Sequence, residues 1–330
     1  MQNESLRSVA AITAFGAYVP DRVLSNHDLE AMVDTSDEWI FQRTGIKERR
    51  IASEEQYCSD MCFGAVRDLQ LRYGVVLEDV DYVLVATTTP DTFFPSMSAR
   101  VQAEFGITQC GAADIQAACA GFVSALQLAN GLLLSGIYHK ILVIGAETLS
   151  KATDYTDRTT CILFGDGAGA ALVERSEEGA FVASYSATNG LDGRHLYRSS
   201  LAPSIGAQPI QQNGFIVQNG REVYRWAVTT VPKGIQALLS RSGYAVEEID
   251  WFVPHSANMR IVESICERTG IPLEKALTSM KQFGNTSAAS IPLALDLAIK
   301  EGRIRTGDLV LLYGFGGGLT ESALLLRWTL

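Results

Sequence analysis

Cys119 stands among small residues in the stretch Asp114-Ile115-Gln116-Ala117-Ala118-Cys119-Ala120-Gly121-Phe122. A cysteine placed where a buried strand hands over to a helix meets unpaired backbone N–H groups and the positive end of the helix dipole, which favour a thiolate. Its neighbours Ala117, Ala118, Ala120 and Gly121 leave room for a substrate carbonyl. Two other segments bring polar groups to the ends of apolar runs: His255 in Pro254-His255-Ser256-Ala257-Asn258, and Asn285 in Gly284-Asn285-Thr286-Ser287-Ala288-Ala289. The run Gly314-Phe315-Gly316-Gly317-Gly318-Leu319-Thr320 offers backbone N–H groups with little steric cover. A Cys/His/Asn cluster has two uses. The cysteine and histidine can run acyl transfer or hydrolysis. Alternatively, histidine and asparagine both donate to one carbonyl oxygen and stabilise an enolate while the cysteine holds an acyl group. A structural cysteine, a satisfied core histidine and a turn asparagine are the plainer readings of the same residues.

The elements that must position these groups follow from periodicity and turn chemistry. Residues 9–19 read as a strand. Asp34-Thr35-Ser36-Asp37-Glu38-Trp39 opens a helix, with Ser36 as cap and Gly45 as stop. Trp39 and Arg43, four apart, share a face of that helix, suited to a nucleotide base and a phosphate or to packing on a neighbour. Helices are predicted over 59–73 and 96–105, and strands over 80–86 and 140–147. Phe122, Val123, Leu126, Leu128, Ala129, Leu132 and Leu133 lie on nearly every face of the segment after Cys119, which predicts a fully buried helix.

The second half echoes the first. Glu248-Ile249-Asp250-Trp251-Phe252-Val253-Pro254-His255 repeats Asp79-Val80-Asp81-Tyr82-Val83-Leu84-Val85-Ala86, with Asp81 and Asp250 169 apart. Asp308-Leu309-Val310-Leu311-Leu312-Tyr313-Gly314 repeats Lys140-Ile141-Leu142-Val143-Ile144-Gly145-Ala146, with Lys140 and Asp308 168 apart. An apolar helix precedes each, from Ala288 to Ile299 in the second case, and at the 168 offset Cys119 corresponds to Ser287. The chain is therefore expected to be an α/β protein of two related βαβ-rich halves, 1–170 with the cysteine and 171–330 with the histidine and asparagine. Residues 186–222 carry four Asn-Gly or Asp-Gly pairs and read as an excursion that roofs a site or merely connects.

The chain has 330 residues, 47% hydrophobic and 19% charged, with a formal charge of −10. That charge argues against a nucleic-acid partner and against broad adhesion to anionic membranes. The 6 cysteines form no C-x-x-C pair and the 4 histidines no ligand cluster, so no metal site is expected and a reducing cytoplasm is. Met1–Arg7 is polar, without a signal-peptide pattern. The uncharged stretch Ile115–Tyr138 is long enough to span a bilayer but is broken by Gln116, Ser124, Gln127, Asn130 and Ser135, and reads as a core helix.

Seven segments now stand in order along essentially the whole chain: Asp34-Thr35-Ser36-Asp37-Glu38-Trp39-Ile40, Arg43-Thr44-Gly45-Ile46, Ala118-Cys119-Ala120-Gly121, Phe164-Gly165-Asp166-Gly167-Ala168-Gly169, Pro254-His255-Ser256-Ala257-Asn258, Gly284-Asn285-Thr286-Ser287 and Gly316-Gly317-Gly318. Together they resemble the β-ketoacyl-acyl-carrier-protein synthase III family, condensing enzymes of the thiolase fold. The resemblance implies that Cys119 takes an acyl group from acyl-CoA, with the N–H groups of Cys119 and Gly317 holding the oxyanion. His255 and Asn285 would then stabilise the enolate formed as malonyl-acyl carrier protein loses CO₂, giving a 3-oxoacyl product that starts fatty-acid synthesis. It further implies CoA contacts at Trp39, Arg43, Thr44, Arg158, Gly220, Tyr224 and Asn258, and an acyl pocket shaped by Phe94 across a homodimer interface. Carrier docking is expected around Ser256, Ala257, Asn258, Met259, Arg260 and Arg225. No cofactor is implied, since acyl-CoA is a substrate, and the only other partner implied is the carrier protein.

Two positions depart from the usual family pattern: Ser256 where glutamine is usual, and Glu321 where an aromatic is usual. Both are expected to alter the acyl pocket, and Ser256 resembles members primed by branched acyl groups. Degradative thiolases need a second cysteine, absent from Gly314–Thr320, and elongating synthases a second histidine where this chain has Asn285. Plant-type chain-building synthases are longer. A condensing enzyme of specialised metabolism and a non-catalytic CoA or carrier-protein binder are the remaining alternatives.

Overall fold

The apolar run Lys140–Thr148 becomes the middle strand of a five-stranded sheet, and everything in the first half is arranged around it. The computed structural model describes residues 7–330, so of the polar start read at Met1–Arg7 only Arg7 lies within the described residues. The sheet order is Ala10–Tyr18, Asp166–Arg175, Lys140–Thr148, Tyr82–Ala86, Gly111–Ile115. The last three strands are parallel and the first two antiparallel. A second sheet runs Phe181–Thr188, Thr320–Arg327, Leu309–Gly316, Trp251–Pro254, with only the last pair parallel. Its counterpart of Gly111–Ile115 shrinks to a single parallel bridge between Phe252 and Ala276.

Alternation along each strand sorts the side chains into layers. Leu84, Ile141 and Val143 of the first sheet and Val253, Leu312 and Leu324 of the second face one shared core. Helices Gly121–Leu134 and Ser290–Lys300 fill that core through Phe122, Leu126, Ile291 and Leu295. The opposite faces, through Val83 and Ile144 or Phe252 and Leu311, carry helices Cys58–Tyr73 and Met97–Glu104, or Gly220–Ser242 and Met259–Thr269. The result is five layers, helix on sheet on helix on sheet on helix.

The short helix Asp37–Thr44 forms as its sequence dictates. Ser36 accepts the Trp39 N–H and Gly45 closes the helix at φ 75°. Three expectations need correction. The repeat offset is 169 at the site-forming elements: Tyr82 matches Trp251, Gly145 matches Gly314, and the strained Ala118 (φ 44°) matches Ser287 (φ 46°). Cys119 therefore corresponds to Ala288, not Ser287. Two hydropathy runs slide past each other by one residue at little cost in similarity, whereas a backbone outlier does not slide. The boundary drawn at 170 falls inside strand Asp166–Arg175, and the chain enters the second sheet between Arg175 and Phe181. The helix after Cys119 is not buried on every face, because Leu128 is 52% exposed. Among the described residues no helix is long and apolar enough to cross a membrane.

The two halves meet by backbone contact. A Cβ on Gly145 would lie 2.4 Å from the Ala288 carbonyl oxygen, and one on Gly314 would lie 2.7 Å from the Ala120 Cα. Each glycine thus admits the turn that starts the other half's central helix. Gly145→Ala and Gly314→Ala are each expected to destabilise the fold by about 1–3 kcal/mol, read as a lower denaturant midpoint at unchanged slope. A midpoint left where it is would remove the close approach as a structural constraint.

Candidate active site

The chain leaves strand Gly111–Ile115, passes through Ala118 in the left-handed region and makes a 3₁₀ turn, Ala118–Ala120, before helix Gly121–Leu134. A non-glycine residue at positive φ is costly, and here it aims the next side chain, Cys119, into a cavity. Gly316 lies against it, since a Cβ there would sit 2.7 Å from the Cys119 sulfur. The N–H groups of Gly317 and of Cys119 itself, with the Ser287 hydroxyl, interact with the sulfur and favour the thiolate. Burial outweighs them. It pushes the Cys119 thiol up to about 11, and the Glu147 carboxylate adds to the rise. The thiolate expected from the strand-to-helix position is therefore not the ground state, because Cys119 is 8% exposed and desolvation opposes its charge.

Glu147 follows the apolar run Ile141–Ala146 as the penultimate residue of strand Lys140–Thr148 and is fully buried. Its carboxylate accepts from the Thr88 N–H at 3.1 Å and the Thr88 hydroxyl at 2.9 Å, and from the Thr87 and Thr89 hydroxyls. Burial raises its pKa, and these bonds together with Ser287 pull it back.

Asn285 is held by backbone. Its N–H donates to the Leu163 carbonyl at 2.8 Å, and its carbonyl accepts the Gly165 N–H at 3.1 Å. The buried Arg49 braces that wall by donating to the Ile162 carbonyl. The Asn285 Oδ1 accepts the Ser287 N–H at 2.9 Å, so the amide nitrogen Nδ2 is left for the cavity. His255 continues strand Trp251–Pro254, donating its N–H to the Tyr313 carbonyl at 2.8 Å. Its Nδ1 lies 2.7 Å from the Ser290 Oγ, and Phe315 packs edge-on against the ring with centroids 5.4 Å apart. Burial pushes the imidazole down to about 3, so the ring is neutral at neutral pH.

Cys119, His255, Asn285 and Gly317 line one cavity of about 770 Å³. The same cavity reaches Trp39, Arg43, Thr44, Arg158, Gly220, Tyr224, Asn258, Ala257 and Arg260. The guanidinium groups of Arg43 and Arg158 sit 4.5 and 4.8 Å from the Trp39 ring centroid. Thr44 gives its hydroxyl hydrogen to the Ile40 carbonyl at 2.7 Å and is 2% exposed, which leaves no donor for a phosphate. The 186–222 excursion does roof the cavity. Its ribbon, Leu196–Arg198 paired with Ile216–Gln218, lines it, and Arg198 ties the ribbon to the Thr88 carbonyl at 3.2 Å.

Five sequence candidates lie outside the cavity. Ser256 is fully buried and accepts the Ser279 N–H at 3.0 Å, so it does not line the cavity and offers no surface to a docking partner. Glu321 is 1% exposed and accepts from the Tyr313 and Tyr185 hydroxyls at 2.7 and 3.2 Å, again away from the cavity. Met259 packs behind Gly45. Arg225 is exposed and pairs with Glu222 at 3.3 Å. Phe94 is 87% exposed and does not line the cavity of its own chain. The sequence reading missed Glu147, Thr88, Arg198 and Ser290. Only Glu147 carried a signal, a lone charge closing an apolar run.

Glu147→Gln removes the negative charge that raises the Cys119 thiol. The pH midpoint of Cys119 alkylation by iodoacetamide is therefore expected to fall, with faster labelling near neutrality. A midpoint unmoved or raised would show that Glu147 presents no charge to the sulfur.

The model for the C-terminal region of 3-oxoacyl-[acyl-carrier-protein] synthase III matches residues 239–328, and the model for 3-oxoacyl-[acyl-carrier-protein] synthase III matches residues 113–190. The chain is 58% identical over 322 residues to β-ketoacyl-[acyl-carrier-protein] synthase III 2 of Bacillus subtilis, covering 97% of this chain and 99% of that one. It is 56% identical over 326 residues to the synthase III 2 of Bacillus cereus, covering 98% and 100%. The crystal structure of the synthase III of Thermus thermophilus superposes with a TM-score of 0.93 at 47% identity, covering 96% and 99%. The mirrored sheets with their paired central helices are the thiolase-like arrangement of those enzymes, and the protein belongs to the β-ketoacyl-[acyl-carrier-protein] synthase III family.

Proposed function

We propose that this chain condenses an acyl-CoA primer with malonyl-acyl carrier protein to give 3-oxoacyl-acyl carrier protein, CO₂ and CoA, the step that initiates fatty-acid synthesis. One observation carries the reading: a thiol, a neutral imidazole and an amide nitrogen, contributed by both halves, line one mostly apolar cavity. In the first stage the Cys119 sulfur attacks the acyl-CoA carbonyl, and the N–H groups of Cys119 and Gly317 hold the oxyanion. The CoA sulfur leaves and takes up the proton given by the thiol. In the second stage the malonyl C–C bond breaks and its electron pair passes to the thioester oxygen, where His255 and Asn285 donate. The resulting carbanion attacks the acyl-cysteine, and the sulfur leaves as a thiolate as the new C–C bond forms, then takes up one proton from solvent to restore the thiol. Acyl-CoA enters as substrate, and thioester activation with CO₂ loss supplies the driving force without a cofactor.

Trp39, Arg43 and Arg158 suit the nucleotide end of CoA, and Gly220, Tyr224 and Asn258 its pantetheine arm. Arg260, on the cavity wall, suits docking of an acidic carrier protein against the chain's net charge of −10, and Arg225 is exposed for the same partner. Six free cysteines fit a reducing compartment such as the cytoplasm.

A homodimer fits two features of the first half. Strand Gly111–Ile115 is the outermost of its sheet and pairs on one edge only. Asp114 on that strand accepts the Met97 and Ser98 N–H groups at 2.7 and 2.8 Å, which fixes the adjacent segment bearing Phe93 and Phe94, 76% and 87% exposed. Large exposed apolar groups beside an open sheet edge mark an interface.

Mixing the protein with acetyl-CoA or isobutyryl-CoA is expected to leave one acyl group on Cys119 by mass spectrometry, and adding malonyl-acyl carrier protein to release CO₂. Asn285→Ala should keep the adduct and lose about 10²–10³ in CO₂ release. An adduct without CO₂ release from the wild type would sink decarboxylative condensation, and no adduct would leave a CoA-binding protein. Light scattering is expected to give the mass of two chains, and Phe94→Asp a smaller species at the same concentration. A wild-type mass of one chain would overturn the dimer.

A further inference from the structure

We propose that Ser290 fixes the tautomer of His255, holding the ring proton on Nε2 so that the imidazole faces the cavity as a donor. The inference rests on reading His255 as a hydrogen-bond donor and adds the residue that makes it one.

The evidence is an accounting of hydrogens around one buried hydroxyl. Ser290 is fully buried at the start of helix Ser290–Lys300. Its Oγ has two neighbours: the Ser256 N–H, which can only donate to it, at 3.4 Å, and the His255 Nδ1 at 2.7 Å. Among the described residues the Ser290 Oγ meets no other acceptor. The hydroxyl hydrogen therefore goes to Nδ1, which must accept, and a neutral ring that accepts at Nδ1 carries its proton on Nε2. The opposite tautomer would set an Nδ1–H and a Ser256 N–H against the same oxygen and leave the hydroxyl hydrogen buried without an acceptor, a costly arrangement. The other ring nitrogen has no protein partner among the described residues, while His255 lines the cavity. Nε2–H is thus the end offered to a substrate oxygen.

Ser290 is itself pinned. The Ser279 hydroxyl donates to the Ser290 carbonyl at 3.0 Å, and the Ser279 N–H donates to the Ser256 Oγ at 3.0 Å. The three serines, at most 1% exposed, form a buried bracket beneath the imidazole. This gives Ser256, beside the histidine, a role in support where its sequence position suggested the acyl pocket. Ser290 touches no substrate; it is a positioning residue.

The test reads the tautomer directly. In protein labelled with ¹⁵N-histidine, the His255 signals, identified by their loss in His255→Gln, are expected to show Nδ1 as acceptor and Nε2 as protonated. Ser290→Ala should lose that preference and slow CO₂ release by about 10-fold or more, the scale of a weakened oxyanion donor. Acylation of Cys119 by acyl-CoA should keep its rate. A wild-type ring protonated on Nδ1 overturns the proposal, and so does a Ser290→Ala variant with unchanged tautomer or with acylation slowed as much as CO₂ release. The wild-type spectrum needs no variant to fold. CO₂ release that survives His255→Ala would instead reject the donor role itself, while the spectrum still decides the tautomer.

Discussion

Two backbone segments that would ordinarily be kept apart by side chains touch at Gly145 and at Gly314, and the cavity exists because they do. Each glycine lies on the middle strand of its half, and each admits the 3₁₀ turn that opens the other half's central helix. The contact is reciprocal because the halves are related by one offset, so the first half's strand touches the turn after Asn285 and the second half's strand touches the turn that carries Cys119. A Cβ at either place would wedge the layers apart. At Gly316 the same requirement becomes chemical, since that glycine lies against the sulfur. Close packing of two sheets and convergence of three side chains are then one geometric fact.

The segment Asn285–Ser290 does more than supply an amide. The Ser287 N–H takes the Asn285 Oδ1 and turns Nδ2 toward the cavity, and the Ser290 hydroxyl sits on the Nδ1 of His255. Both groups facing the substrate thus have their polarity set by one short turn. The turn is held by the parallel bridge between Phe164 and Asn285, and Arg49 braces the neighbouring backbone from behind. The Phe164-Gly165-Asp166-Gly167 segment consequently acts as scaffold: a Cβ at Gly165 would meet the Phe283 carbonyl at 2.2 Å.

The layered fold was legible because buried strands and capped helices leave strong local patterns. Lys140–Thr148, Cys58–Tyr73 and Asp37–Thr44 lie within a residue or two of where periodicity, Ser36 and Gly45 place them. The catalytic candidates were legible because Cys119, His255 and Asn285 stand where apolar strands end or apolar helices begin. What stayed hidden depends on side-chain direction. Hydropathy does not say that Ser256 points inward toward Ser279, that Glu321 turns to two tyrosines, or that Leu128 faces out. Nor does it fix register, and a one-residue slip in the repeat paired Cys119 with the wrong partner until the positive φ of Ala118 and Ser287 settled it. The thiolate expectation failed for a related reason: the helix end is local and readable, whereas desolvation is a property of the closed cavity.

That desolvation acts on both sides of the reaction proposed for the cavity. It pushes the Cys119 thiol up to about 11 and the His255 imidazole down to about 3, so the cavity presents neither a thiolate nor an imidazolium at neutral pH. A cation beside the malonyl group would bind its carboxylate most strongly before CO₂ leaves, and in a low-dielectric cavity that attraction would deepen the ground state. Neutral donors aimed at the thioester oxygen gain most when negative charge arrives there, which is after the C–C bond begins to break. An Asn285 amide and an uncharged His255 therefore discriminate between substrate and enolate where two cations would not. The buried serines behind the histidine belong to the same logic, because a ring that stays neutral is useful only if its single proton is on the nitrogen that faces the substrate.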